Sequence, residues 1–384
     1  MVDRVPDVVI YADGVRSPEM RHEVPAPVPD AFLYVETGGE RHVVLPSLEL
    51  PIVSEAGTYV LHPYEEFGID ELRRTERSNW ELTDALVVRA LQGLGVEQAL
   101  VPGSFPLGAA DRIRTAGIEL TPDEEHFRAR RRVKTGAELA GIRRAQLAAE
   151  SGMAAARDLL RQAKADAHGV LELDGTPLTV ERVKAAISAR FLEHGTTADN
   201  FIVSYGPQAA IGHHLGDGRL RAGETIVIDL WPRDDKSSCF ADMTRTFVAG
   251  DVPAEIAEWH RLCLEALELS SSRARPGATG VELFGAACDV FEAEGHLTQR
   301  TKVFGETLDE GFHHSLGHGV GLEVHEAPVL GLVGVAPLVA GDVVAIEPGL
   351  YRQGLGGVRL EDLVFVREDG PERLTQFPYE LSPG

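Results

Sequence analysis

The stretch GHGVGLEVHEAP, residues 317–328, sets His318 and His325 seven positions apart among three glycines and ends on proline. Imidazoles held in so bare a backbone suit either a tight structural turn or part of a metal site. Four carboxylates sharpen the choice, because each stands in a run that otherwise reads as buried strand. They are Asp229 in TIVIDLW, Asp242 in FADMTRTFV, Glu347 in VVAIEPGLY and Glu361 in VRLEDLVFV. Any one alone is more often a salt-bridged or partly exposed acid. Together they would leave four charges in apolar surroundings, at a cost that must be offset. Arg245 and Arg359 cannot neutralise four acids, whereas one or two divalent cations could. Oxygen ligands with an added imidazole suit Mn²⁺, Co²⁺ or Zn²⁺.

The geometry sets conditions on this reading. In a regular strand a spacing of seven sends His318 and His325 to opposite faces, so a bend or bulge is required for both to reach one cleft, and the glycines permit it. His314, four residues before His318, and the pair His213 and His214 in AAIGHHLGDG concentrate further imidazoles nearby. Arg359 shares a strand face with Glu361, and Thr244 with Asp242, by period-two alternation. The remaining histidines are read as scattered surface or core residues. No HExxH helix, GxxxxGK[ST] loop or GxSxG elbow is present, which removes the usual signatures of zincins, nucleotide hydrolases and α/β-hydrolases.

The elements that must position these side chains fall into two groups. AFLYVET and RHVVLP form a hairpin around Gly38 and Gly39, and LTDALVVRALQGLG, ALVPG and AADRIRTAG read as helix, strand and helix. A charged bridge, TPDEEHFRARRRVKT, marks the boundary, dividing the chain into residues 1–127 and 128–384. Thr135 and Glu138 have capping-box spacing and open a long helix to about residue 165; TVERVKAAISARFLEHG is a second helix. Strands follow at FIVSYG, TIVIDLW and FADMTRTFV, then helices at about 253–272 and 280–294, then a last strand pair, VVAIEPGLY and VRLEDLVFV. The fold class is α+β, preceded by a smaller α/β unit. The order of helices followed by strands occurs twice, a faint hint of duplication.

A chain of 384 residues exceeds one ordinary core, in keeping with two domains. The net charge of -23 repels phosphate backbones and anionic lipid, so neither nucleic acid nor membrane is an expected partner. Cys239, Cys263 and Cys288 lack CxxC spacing and read as small buried thiols. The start, MVDRVPDVVIYADG, lacks the layout of a signal peptide, and a cytoplasmic location is expected.

The ordered set IVIDLW, FADMTRTF, HSLGHGVGLEVHEAP, AIEPGLY and GGVRLEDL resembles the Xaa-Pro peptidases, the prolidase and aminopeptidase P branch of the M24 metallopeptidases with the pita-bread fold. Residues from about 136 onward resemble the catalytic domain; residues 1–125 are similar to the creatinase-like N-terminal domain in layout only. The resemblance implies five metal ligands, Asp229, Asp242, His318, Glu347 and Glu361, around two divalent ions, Mn²⁺ first with Co²⁺ or Zn²⁺ as alternatives. Asp229 would chelate one metal, His318 and Glu347 would serve the other, and Asp242 and Glu361 would bridge them. The metals would activate a hydroxide and polarise the scissile carbonyl. Glu347 would relay a proton, His325 would stabilise the tetrahedral intermediate, and His213 and His314 would line the substrate pocket. Arg359 would fix Glu361, and Thr244 would support the ligands. Relatives imply a homodimer acting on proline-containing peptides.

Two departures stand out. The interval from Asp229 to Asp242 is two residues longer than the family's, and Trp231 occupies the place of a common glycine. Val329 stands where some prolidases carry an arginine suited to a dipeptide carboxylate, which favours longer peptides. The resulting expectation is a metal-dependent hydrolase of Xaa-Pro bonds, as an aminopeptidase or dipeptidase. A creatinase-like amidinohydrolase and a catalytically inactive peptide-binding protein are the alternatives. A methionine aminopeptidase would not normally need the N-terminal domain.

Overall fold

Strands Phe32–Thr37 and Glu40–Leu45 form the expected hairpin, with Gly38 and Gly39 supplying the positive φ angles (59° and 83°) that its turn requires. In this computed structural model, which describes residues 6–76 and 78–384, the hairpin belongs to a six-stranded mixed sheet. The sheet order is Val60–Pro63, Glu40–Leu45, Phe32–Thr37, Asp7–Ala12, Gln98–Val101 and Glu119–Pro122. Period-two alternation sends Val9, Leu33 and Val44 to one face and Val8, Phe32 and Val43 to the other, and both faces are covered. Helices Asn79–Gly93 and Leu107–Thr115 supply apolar side chains to the first of these cores. The charged bridge is itself helical over Glu124–Arg132, and the expected division at 127/128 falls within that helix. Contacts divide the chain into one compact unit running to Arg131 and another from Arg132 to Gly384.

In the second unit, Thr135 and Glu138 close a capping box and open the helix Gly136–Gln162. Thr179 caps the helix Val180–Glu193. These helices approach closely because residue 152 is glycine: a Cβ there would lie 3.0 Å from both Ile187 and Phe191 side-chain atoms. Together they cover a three-stranded antiparallel sheet of Ile202–Tyr205, Thr225–Leu230 and Met243–Val248. A second helix pair, Ala254–Arg273 and Gly280–Ala293, packs in a core with side chains from the later strands, among them Ile346, Leu350, Val358 and Val364. All three cysteines are buried thiols.

The last strand pair differs from the sequence expectation. VVAIEPGLY breaks into strands Val343–Ile346 and Gly349–Arg352, and the following run breaks into Gly356–Arg359 and Asp362–Arg367. The halves join different sheets. Val343–Ile346 and Asp362–Arg367 pair within a five-stranded sheet, while Gly349–Arg352 and Gly356–Arg359 pair within a three-stranded one. Glu347 and Glu361 therefore sit at the breaks, not within continuous strands. Pro348 supplies one physical reason, since a proline cannot donate to a central ladder. Among the described residues, no helix is long and apolar enough to cross a membrane.

Candidate metal and peptide site

Strand Thr225–Leu230 carries Asp229 near its end, in register with Thr244 of the neighbouring strand, and Asp242 immediately precedes that neighbour. Asp242 and Thr244 share a face, so the ladder brings both aspartates to one side of the sheet. His318 lies on the short strand Gly317–Gly319, whose pairing with Glu326–Leu330 shifts register between His318 and Gly319. That irregularity is the bulge the spacing of seven demanded. It sets the rings of His318 and His325 edge to face, 4.3 Å apart between centroids.

The five expected ligands, the three expected pocket histidines and Arg359 line one cavity of about 740 Å³. Thr244 is fully buried behind it and donates its hydroxyl to Glu361 Oε2 at 2.7 Å. One atom each from Asp242, His318 and Glu361 lie within 4.8 Å of one another. His318 Nε2 stands 3.8 Å from Asp242 Oδ2 and 3.7 Å from Glu347 Oε1. His213 and His325 lie in the cavity lining with Asp229. His314 bonds to the Ser315 carbonyl through Nδ1 at 2.7 Å and to the Tyr351 hydroxyl through Nε2 at 2.9 Å.

Arg359 reaches Asp229 directly and Glu361 through Thr244. Its Nη2 donates to Asp229 Oδ2 at 2.6 Å, its Nη1 to Tyr351 at 3.0 Å and its Nε to Thr244 Oγ1 at 3.3 Å, and Thr244 in turn donates to Glu361. Two further residues were not singled out from sequence as parts of this support. Tyr351 bridges His314 and Arg359; its position four residues after Glu347 in AIEPGLY was the available signal. Arg245 donates to the carbonyls of Thr244 and Glu361 and to Asp362, and nothing local in sequence names those partners.

The electrostatics are those of a crowded acidic cluster. Burial, reinforced by repulsion from Asp229, pushes the Glu347 carboxyl up to about 8 against the attraction of Arg359. Burial and neighbouring carboxylates likewise hold Asp242 and Glu361 well above the usual carboxylate range. Burial pushes His318 down to about 4 and His314 to about 3, and it also lowers His325. With neutral rings, His318 Nδ1–H donates to the Gly319 carbonyl at 3.1 Å, leaving an Nε2 lone pair directed among carboxylate oxygens. A lone pair set among carboxylate oxygens is a donor arrangement that a cation would complete. Asp229 Oδ1 and Asp242 Oδ1 are buried without a hydrogen-bond partner, which calls for the same thing. The donor set, carboxylate oxygens with one imidazole backed by a carbonyl, fits borderline divalent metals.

This fold, with acids and a histidine at strand ends and breaks and two helix pairs outside, defines a metal-dependent enzyme of the pita-bread class. A model of metallopeptidase family M24 matches residues 140–368, more than half of the chain, and the chain belongs to that family. The Xaa-Pro dipeptidase of Pyrococcus furiosus is 27% identical over 93% of this chain and 90% of its own. The solved prolidase of Pyrococcus horikoshii OT3 is 25% identical, with a TM-score of 0.75 over 98% of this chain and 95% of that one. The X-Pro aminopeptidase from Thermotoga maritima MSB8 has the same fold, with a TM-score of 0.75 at 22% identity over 97% and 96% of the two chains.

Proposed function

We propose that this metallopeptidase hydrolyses the bond between a first residue and a following proline, in Xaa-Pro dipeptides or at the start of longer peptides. The observation that carries the reading is the gathering of five ligand-type side chains around one cavity, among them an imidazole with its Nε2 free of the backbone bond and two aspartates each with an orphaned carboxylate oxygen. The names of the two Pyrococcus relatives supply the substrate class.

Asp229, Asp242, His318, Glu347 and Glu361 would hold two divalent ions, with Mn²⁺ the first choice and Co²⁺ or Zn²⁺ the alternatives. When bound, such a pair supplies Lewis-acid activation of the peptide carbonyl and of water. The remaining chemistry belongs to the chain. Glu347, bordering the same cavity, takes the proton from attacking water and returns it to the departing proline nitrogen. His325, exposed beside His318, donates to the oxyanion that develops on the scissile carbonyl. His213 and His314 position the peptide, with His314 kept neutral and oriented by Ser315 and Tyr351. Arg359 fixes Asp229 and Thr244 fixes Glu361, so neither acid has to be reoriented on binding.

Val329 borders the cavity and is 45% exposed, so the position directly after the Ala327–Pro328 pair offers no cation to a dipeptide carboxylate. This observation favours longer peptides, whereas the names of the Pyrococcus relatives favour dipeptides. The test is a paired assay in Mn²⁺ of Leu-Pro against Leu-Pro-Gly, with a chelator control. Chelator-sensitive cleavage of either supports the reading. Metal binding with cleavage of neither assigns a binding role instead.

A further inference from the structure

Trp231 is the large side chain that borders the cavity without a part in the chemistry above. It directly follows the strand Thr225–Leu230, packs partly against the core that holds Leu230, and also borders the cavity. Trp231 thus shares the cavity lining with Asp229 while the core braces it from behind. Pro232 follows and restricts the backbone, its carbonyl accepting from Ala241 N at 3.0 Å, and Arg233 bridges to Phe240 across the longer loop. The side chain is thus presented by a fixed hairpin. Ile202, paired in register with Asp229, and Leu215, whose carbonyl accepts from Val203 N, complete an apolar flank on the same cavity.

Two observations say what this flank would hold. First, the cavity keeps about 740 Å³ with the indole in place, inside the roughly 300–1,000 Å³ of small-ligand sites, so Trp231 lines the space and does not fill it. Second, Arg359 occupies Asp229 Oδ2 while Oδ1 has no hydrogen-bond partner. In the peptidase reading that oxygen would hold a cation, and the peptide's free amino group, as a neutral amine, would offer its lone pair to that cation, which places the first residue beside Asp229. The residue bearing that amino group then rests its side chain against Trp231, Ile202 and Leu215.

We propose that Trp231 is the specificity-determining wall for the first residue of the substrate and selects apolar side chains, aliphatic or aromatic, over glycine and over acidic residues. This rests on the peptidase reading above. In the Mn²⁺-loaded full chain, kcat/KM for Leu-Pro and Phe-Pro exceeds that for Gly-Pro and Asp-Pro by at least about tenfold, the scale on which apolar pockets discriminate. Trp231→Ala loses most of that ratio, chiefly through KM, and Trp231→Phe keeps most of it. Equal rates in the unaltered enzyme, or an unchanged ratio in Trp231→Ala, would overturn the proposal while the proline reading stands. Should Trp231→Ala fail to fold by circular dichroism, the unaltered enzyme's ratio and Trp231→Phe decide. If no Xaa-Pro peptide is cut but Leu-Ala and Gly-Ala are, the proline reading falls and the same ratio, taken from those peptides, judges the wall. Cleavage of none of these peptides overturns both.

Discussion

Arg245 Nη1 donates to the main-chain carbonyl of Glu361 at 2.7 Å, although 116 residues separate the two in sequence. The same guanidinium bonds to the Thr244 carbonyl, to Asp362 and to the carbonyls of Phe377 and Pro378, and the side chain is 1% exposed. One buried cation thereby ties the strand after Asp242, the backbone at Glu361 and the C-terminal segment. Arg245→Met leaves several buried carbonyls unpaired and is expected to cost at least about 3 kcal/mol, the scale for breaking a buried charged network. Urea unfolding measures this; a loss under 1 kcal/mol would show that the network is not structural.

The Thr244 hydroxyl acts on the side chain of Glu361 where Arg245 acts on its backbone. Thr244→Val keeps the shape and removes the donor, so metal affinity should fall roughly 10–100-fold, as for other outer partners of ligands. Thr244→Ser should keep it. Calorimetric titration with Mn²⁺ distinguishes the two variants.

The metal-stripped protein should lose stability as pH rises. Glu347 sits at about 8 when folded against 4.5 as its ordinary value, so the folded state binds the extra proton between those values. Its contribution is fully present below 4.5 and is gone once pH passes about 8. His314 acts oppositely, being held near 3 against 6.5, but its effect is complete above 6.5. The window from 6.5 to 8 therefore isolates the carboxylates. Thermal unfolding across it should show Tm falling without metal, a shallower slope in Glu347→Gln, and little slope with Mn²⁺ bound. Proton release on metal binding is the companion observation.

His325→Ala tests the division between holding metal and stabilising charge. The ring packs on His318 without being one of the five expected ligands, so metal content should stay near that of the unaltered protein. Turnover should fall about 10²–10³-fold, the usual effect of removing one oxyanion donor. Elemental analysis beside kcat/KM checks both halves, and parallel loss of metal and activity would make His325 a ligand instead.

Much of this arrangement was legible because it is written locally. Thr135 with Glu138 announced a helix start, and the glycines around His318 announced a bulge between two imidazoles. Acids in apolar runs announced a buried charge problem that Arg245 and Arg359 could not solve. The breaks at Glu347 and Glu361 were not legible as changes of sheet, since sheet membership depends on distant partners; Pro348 was the missed signal at the first. Partners distant in sequence were hidden for a different reason. Period-two alternation put Arg359 on the face of Glu361, but its reach to Asp229 spans 130 residues and depends on how two sheets meet.

Anomalous diffraction from crystals soaked in Mn²⁺, collected at the manganese edge, bears most directly on the metal pair. Two peaks are expected in the cavity between Asp229, Asp242, His318, Glu347 and Glu361, and both should vanish in Glu361→Ala. Density for manganese only elsewhere on the surface, or none after soaking, would contradict the assignment of these five side chains as ligands.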